Sequence, residues 1–177
     1  RGWIMALTRL GLNQAINLTS NVTGTLPIAN GGTNLSSGFI NGTTAVGKIL
    51  QVQNQRLTTE FNTNNSSFQD TGVTKSITPS SASSKVLVIY GSGMNYTSSG
   101  TEMAMNCMRD STQLNSVIIN LDGTASTGGS AFMILDEPNT TSSVTYKVQI
   151  RKSNGSGNVY VSVNNSLSTF TLMEIGA

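Results

Sequence analysis

The sequence predicts an all-β protein whose main domain is an antiparallel jelly-roll-type sandwich, carried behind an extended N-terminal anchor and connector. Three observations predict it. Apolar residues from position 47 onward recur with a period of two rather than 3.6. The runs are short, spaced about 8–14 residues apart and separated by Gly/Ser/Asn turns. No ten-residue helical pattern interrupts them, so parallel βαβ units are not expected.

The strands follow in order. Lys48–Gln53 opens the series, followed by Thr58–Phe61 and Thr74–Ile77, then a turn over 79–84. Lys85–Asn95 is the most apolar run and is expected at the centre of a sheet. Glu102–Arg109 alternates, with Met103, Met105, Cys107 and Arg109 on one face and Glu102, Ala104, Asn106 and Met108 on the other. Ser116–Leu121, Ala131–Leu135, Val144–Lys152, Asn158–Val163 and Phe170–Ile175 complete it. Within Val144–Lys152, Val144, Tyr146, Val148 and Ile150 should face a core, and Thr145, Lys147, Gln149 and Arg151 solvent.

Three zones result: an anchor segment at 1–18, a connector at 19–46 and a β-sandwich head at 47–177. In the anchor, Met5-Ala6-Leu7-Thr8 reads like a natural start, and Leu7, Leu10, Leu12, Ile16 and Leu18 could form one apolar side. Gly11 costs such a helix about 1 kcal/mol relative to Ala, so the segment needs something to pack on. The connector is rich in Gly, Asn, Thr and Ser and too long for a loop inside a compact domain. Its isolated Leu26, Pro27, Ile28, Leu35, Phe39 and Ile40 suit packing against other chains. Three-fold wrapping would bury them together, while ~3.3 Å of reach per residue lifts the head off its mounting surface.

Composition removes several classes. The 177 residues include only 10% charged and 6% aromatic side chains, with a net charge of +2. Ser, Thr and Asn supply 66 of them, so the chain is polar without being charged. The charge balance gives no footprint for nucleic acid, and no apolar run approaches a membrane span. Nothing at the N-terminus has the form of a secretory signal.

Catalytic chemistry finds little to use. Histidine is absent and Cys107 is alone, which removes the commonest base, the commonest metal ligand and any internal disulfide. No cofactor or metal is expected. Among the acids only Asp136 and Glu137 adjoin, and neighbours on a strand point to opposite faces rather than converging as a glycosidase pair. Cys107 and the methionines 94, 103, 105 and 108 read as core or interface fillers. Asn-x-Ser/Thr triplets are what an Asn/Ser/Thr-rich chain generates by chance. The polar loops at 96–100, 123–130 and 153–158 are better candidates for contact with a partner. In them and beside them, Tyr96 and Tyr160 could stack on a sugar ring while Asn and Ser meet hydroxyls.

The stretch Thr23-Gly-Thr-Leu-Pro-Ile-Ala-Asn-Gly-Gly-Thr33 resembles the GTLPxANGGT connector of bacteriophage fibres and virion appendages, particularly of the marine, cyanophage type. Gly47-Lys-Ile-Leu-Gln-Val52, Ser76-Ile-Thr-Pro-Ser-Ser81, Met108-Arg-Asp-Ser-Thr112 and Thr169–Ile175 are similar to pieces of the small C-terminal β-domain of such proteins. The resemblance implies a homotrimer of tumour-necrosis-factor-like jelly rolls, located on the virion surface. The N-terminus would bind other virion proteins of capsid or tail, and a host surface glycan is a further possible partner. A short mounting segment favours a short fibre, head fibre or capsid decoration. The alternative from another class is a free carbohydrate-binding module of a secreted protein, which would be monomeric.

Overall fold

The computed structural model describes residues 48–98, 100–119 and 126–176. The anchor and connector residues therefore lie outside the described part, as do Leu121 and residues 123–125 of the expected 123–130 loop, whose remainder is the start of a strand rather than a loop. Ten strands are formed: β1 (Ile49–Leu57), β2 (Phe61–Thr63), β3 (Gln69–Ile77), β4 (Lys85–Thr97), β5 (Glu102–Arg109), β6 (Thr112–Ile119), β7 (Ser126–Asp136), β8 (Val144–Asn154), β9 (Val159–Val161) and β10 (Ser168–Ile175). All pairings are antiparallel.

Two sheets face each other. One holds β3-β8-β5-β6, the other β1, β10, β4, β9, β2 and β7. Pairing proceeds from the outside of the chain inward: β1 with β10, β3 with β8, β4 with β7, β5 with β6. Two further pairings, β10 with β4 and β8 with β5, close each sheet. A long hairpin wrapped in this way is a jelly roll. As the sequence predicts, β4 is central, with β7 along one edge and β10 then β9 along the other.

The six-stranded sheet is four strand lines wide, and two of the lines are interrupted at one level. β1 and β2 run in line, as do β9 and β10, and β4 carries a bulge between Ser92 and Asn95 where its partner changes. The sequence determines this break locally. Gly93 lets the Leu167 carbonyl come close and donates its N–H to it at 3.0 Å; a Cβ there would stand 3.1 Å from that oxygen. Ser162, Asn164 and Asn165 adopt left-handed backbone around the 3-10 turn Val163–Asn165, a region Asn tolerates better than most residues. Under the bulge, buried Asn95 accepts from the Ser92 hydroxyl at 2.6 Å and donates to Ser130 Oγ.

The core between the sheets contains Val86, Val88, Tyr90, Phe170 and Leu172 from one side and Met103, Met105, Cys107, Tyr146, Val148 and Ile150 from the other. Tyr90 packs on Phe132 and edge-on to Phe170, at 5.2 and 6.3 Å between centroids. In β8 the predicted faces hold, with Val144, Tyr146, Val148 and Ile150 buried.

Several boundaries and one face need correction: β7, expected from Ala131, begins at Ser126, and β1 runs to Leu57 rather than Gln53. Thr58–Glu60 is not strand, because it spans the sheet-wide break, and β2 begins only at Phe61. β3 starts at Gln69 rather than Thr74, bulging between Asp70 and Thr74 around Gly72, whose φ is +85. β6 starts at Thr112, immediately after a two-residue turn at Asp110-Ser111 rather than at Ser116. β9 ends at Val161, where the left-handed turn begins. In β5, Ala104 and Asn106 are as buried as the core face. β5 is an inner strand, and its second face lies between longer residues: Arg151 and Gln149 in register on β8, and Gln113 accepting from Asn106.

Asn95→Ala should remove the acceptor of the buried Ser92 hydroxyl and the donor to half-buried Ser130, and lower stability by about 1–3 kcal/mol. Urea unfolding would check this, with Thr171→Ala on the outer face as a control of small effect.

Candidate functional site

The outer faces of the two sheets differ in chemistry. On the four-stranded sheet the outer face is polar: Asp70 accepts from Lys147 at 3.0 Å and Gln149 at 2.6 Å, and the Ser76 and Thr145 hydroxyls meet at 2.8 Å. Burial raises the Asp70 carboxyl, but the bonds from Gln149 and Lys147 outweigh it and hold the pKa below the usual value. A polar groove of about 390 Å³ lies beside it, lined by Gln51, Gln53, Ser143 and residues 74–78.

The six-stranded sheet turns an apolar face outward. Register places Val52, Met173, Leu87 and Leu135 in one row across β1, β10, β4 and β7. Ile89 and Met133 continue it on one side, and Ile49 and Ile175 on the other. Met133 is 68% exposed, Leu135 56%, Ile49 52% and Val52 51%. At its rim Lys85 and Glu137 pair at 2.6 Å, so the border is locally neutral.

Further along the same face, at the end of β4 away from the start of β1, stand Tyr96 and Tyr160. Strand register puts them opposite each other, and their half-buried rings meet edge to face at 5.3 Å and 62°. Asn62 is the next residue across on β2, and Asn158 donates to its side-chain oxygen at 3.5 Å. The loops behind them are tightly packed. Ser98 N–H donates to the Asn158 carbonyl at 3.2 Å, Thr101 N–H to Ser98 O at 3.0 Å, and Gly157 N–H to the Thr101 hydroxyl at 3.0 Å. A Cβ on Gly157 would collide with Ser98, and one on Gly155 with the Gly100 carbonyl. Of the residues singled out in the sequence, the fold thus brings Tyr96 and Tyr160 together. Leu7, Leu10, Leu12, Ile16, Leu18, Leu26, Pro27, Ile28, Phe39 and Ile40 lie outside the described residues.

The reactive side chains inside the head are structurally engaged. Arg109 on β5 grips both carboxylate oxygens of Asp136 on β7 at 2.8 and 2.7 Å, and the Tyr146 hydroxyl donates to the same carboxylate at 2.7 Å. This triad joins the two sheets at one end. Burial and the Asp136 charge push the Tyr146 phenol well above its ordinary value. The same two causes push the Cys107 thiol up to about 12, far from a reactive thiolate. Asp136 turns inward and Glu137 outward to Lys85, so the adjacent acids diverge. Among the described residues no group of three or more His, Cys, Asp or Glu could hold a metal ion.

Sequence reasoning missed Glu174. Fully buried near the end of β10, it accepts from Ser80 N–H at 2.7 Å, Ser80 hydroxyl at 2.6 Å and Gln51 Nε2 at 2.7 Å. Burial alone would raise its pKa, but the bonds from Ser80 and Gln51 overcome this and hold it at about 2. The alternation of β10 could have flagged it, since Glu174 shares the parity of Phe170 and Leu172.

No protein-family model matches the chain, and no curated protein matches it. Among solved structures it is similar to an insecticidal delta-endotoxin of Bacillus thuringiensis, at 16% identity and a TM-score of 0.33, over 66% of this chain and 19% of that one. Dimeric latent PorU of Porphyromonas gingivalis is similar at 8% identity and 0.34, over 75% and 14% of the two chains. Infectious bursal disease virus, Gx strain, is similar at 14% and 0.31, over 72% and 42%. The chain spans less than half the length of each.

Glu174 is ionised in the fold down to about pH 2 and protonates near 4.5 once released. Its contribution to stability is therefore complete above about pH 4.5 and lost as pH falls through about 2. Chemical unfolding followed from pH 6 to 2 should show this loss. Glu174→Gln should be destabilised by about 1.5–3 kcal/mol at pH 7, with a flatter profile below pH 4.5.

Proposed function

We propose that the protein is a non-enzymatic virion structural protein: a trimeric short fibre or knob, mounted on a phage particle by its N-terminal segment. The jelly-roll head is displayed for adsorption to the host surface or for decoration of the shell. The connector's resemblance to GTLPxANGGT stalks supports the setting. The observation that carries the assembled state is the apolar outer face on β1, β10, β4 and β7.

This face belongs to the head's own copies. It is four strands wide at ~4.8 Å each and about six residues long at ~3.4 Å each, roughly 400 Å² before side-chain relief. An apolar patch of that size is often functional, and in a three-fold ring each protomer meets two neighbours. The Lys85–Glu137 pair neutralises one rim of the face, which lessens repulsion there between identical partners. The face also borders the start of β1.

Light scattering on the full chain should give three times its 18.6 kDa. Met133→Glu and Leu135→Glu, at exposed positions, should each give a folded monomer. A wild-type monomer would overturn the trimer and favour the free carbohydrate-binding module. Removing residues 5–47 should leave a folded head that no longer joins particles; an unfolded head would count against the three-zone reading.

A further inference from the structure

We propose that Tyr96, Tyr160, Asn62 and Asn158 form a binding site for a neutral pyranose unit of a cell-surface glycan, a reading that rests on the display role above. The ring pair is a rigid corner rather than two loose side chains. Each tyrosine stands on a register-paired strand position, and the edge-to-face contact fixes one ring against the other. Pyranose rings carry an apolar C–H face bordered by hydroxyls. A half-exposed phenol ring matches the first, and carboxamides, each with two donors and an acceptor, match the second.

Charge decides the ligand class. The segments around the pair, residues 61–67, 94–101, 126–131 and 153–163, contain no Asp, Glu, Lys or Arg. A site without fixed charge has nothing to neutralise a uronate, a sialic acid or a phosphate, so recognition falls to neutral sugars. Pre-organisation supports the same conclusion. The Ser98–Asn158 and Gly157–Thr101 bonds and the close glycine packing hold the loops before any ligand arrives, which lowers the ordering cost of binding.

Position fits use. β4 is 13 residues long, so at ~3.3 Å per residue its end is roughly 40 Å from its start. The tyrosines lie at that far end, while β1 begins beside the near end. A single unit of about a dozen heavy atoms would bind with a dissociation constant on the order of millimolar. Three copies on one knob, meeting a repeating polymer, would lower the apparent constant by avidity.

The test is NMR on the full chain with ring-labelled tyrosine, titrated with maltohexaose, cellohexaose and galactan oligomers, and with polygalacturonate and polysialic acid as charged probes. The chain has four tyrosines, and Tyr90 and Tyr146 are buried, so they serve as internal controls. The expected result is saturable movement of the Tyr96 and Tyr160 signals with at least one neutral oligomer. Tyr160→Ala should weaken binding about tenfold or more, and Tyr160→Phe should retain most of it. Silence of both rings with every neutral oligomer overturns the site, as does a preference for the charged probes, and neither result depends on a variant folding. Native mass is read on the same samples. A trimer with silent rings fails the sugar site alone, whereas a monomer whose rings respond fails the mounted-knob reading and leaves the site standing.

Discussion

The structure depends on β10 lying between β1 and β4. It is hydrogen-bonded along both edges, so the last strand of the chain joins the first strand of the head to the central one. Without it the larger sheet has no continuity between β1 and β4, and Phe170 and Leu172 leave the core. The strand ends on Glu174, whose carboxylate is bonded to Ser80 of the β3–β4 connection and Gln51 of β1. A buried carboxylate with these donors stabilises one register, since a one-residue slip would reverse every side chain of β10 and strand the charge.

The same placement organises the outer surface. Met173 of β10 bridges Val52 on one side and Leu87 on the other, and only then does a row of unrelated residues become one apolar stripe. The other sheet shows the contrast. Its outer face is covered by Lys147, Gln149, Asp70 and Thr145, and Arg151 stacks over Phe68 at 5.2 Å. One face is suited to water and one to protein.

The sheet-wide break divides these roles along β4. Before it the strand carries Leu87 and Ile89 in the apolar stripe; after it the strand carries Tyr96. The bulge adds a residue, so inward-facing Ser92 and Asn95 are three apart and Tyr96 returns to the outer face. A straight strand would have turned Tyr96 into the core and Asn95 into solvent. Gly93, Asn164 and Asn165 make the shift feasible because glycine allows the close approach of Leu167 and asparagine tolerates left-handed backbone.

The sequence by itself determined the strand order in outline, the inner face of β8 and the centrality of β4, because alternation over eight or more residues is a local signal of burial. It determined that Asp136 and Glu137 diverge and that Cys107 is a core residue. It also marked Tyr96 and Tyr160, though not that they touch. Only the tertiary structure decided where Thr58–Glu60 breaks, why Ala104 and Asn106 are buried on a second face, and how the Glu174 carboxylate is held ionised by donors from residues 51 and 80. The apolar stripe and the tyrosine corner belong with these. Each is made of residues scattered over more than sixty positions, and strand register alone, set by long-range pairing, brings them together.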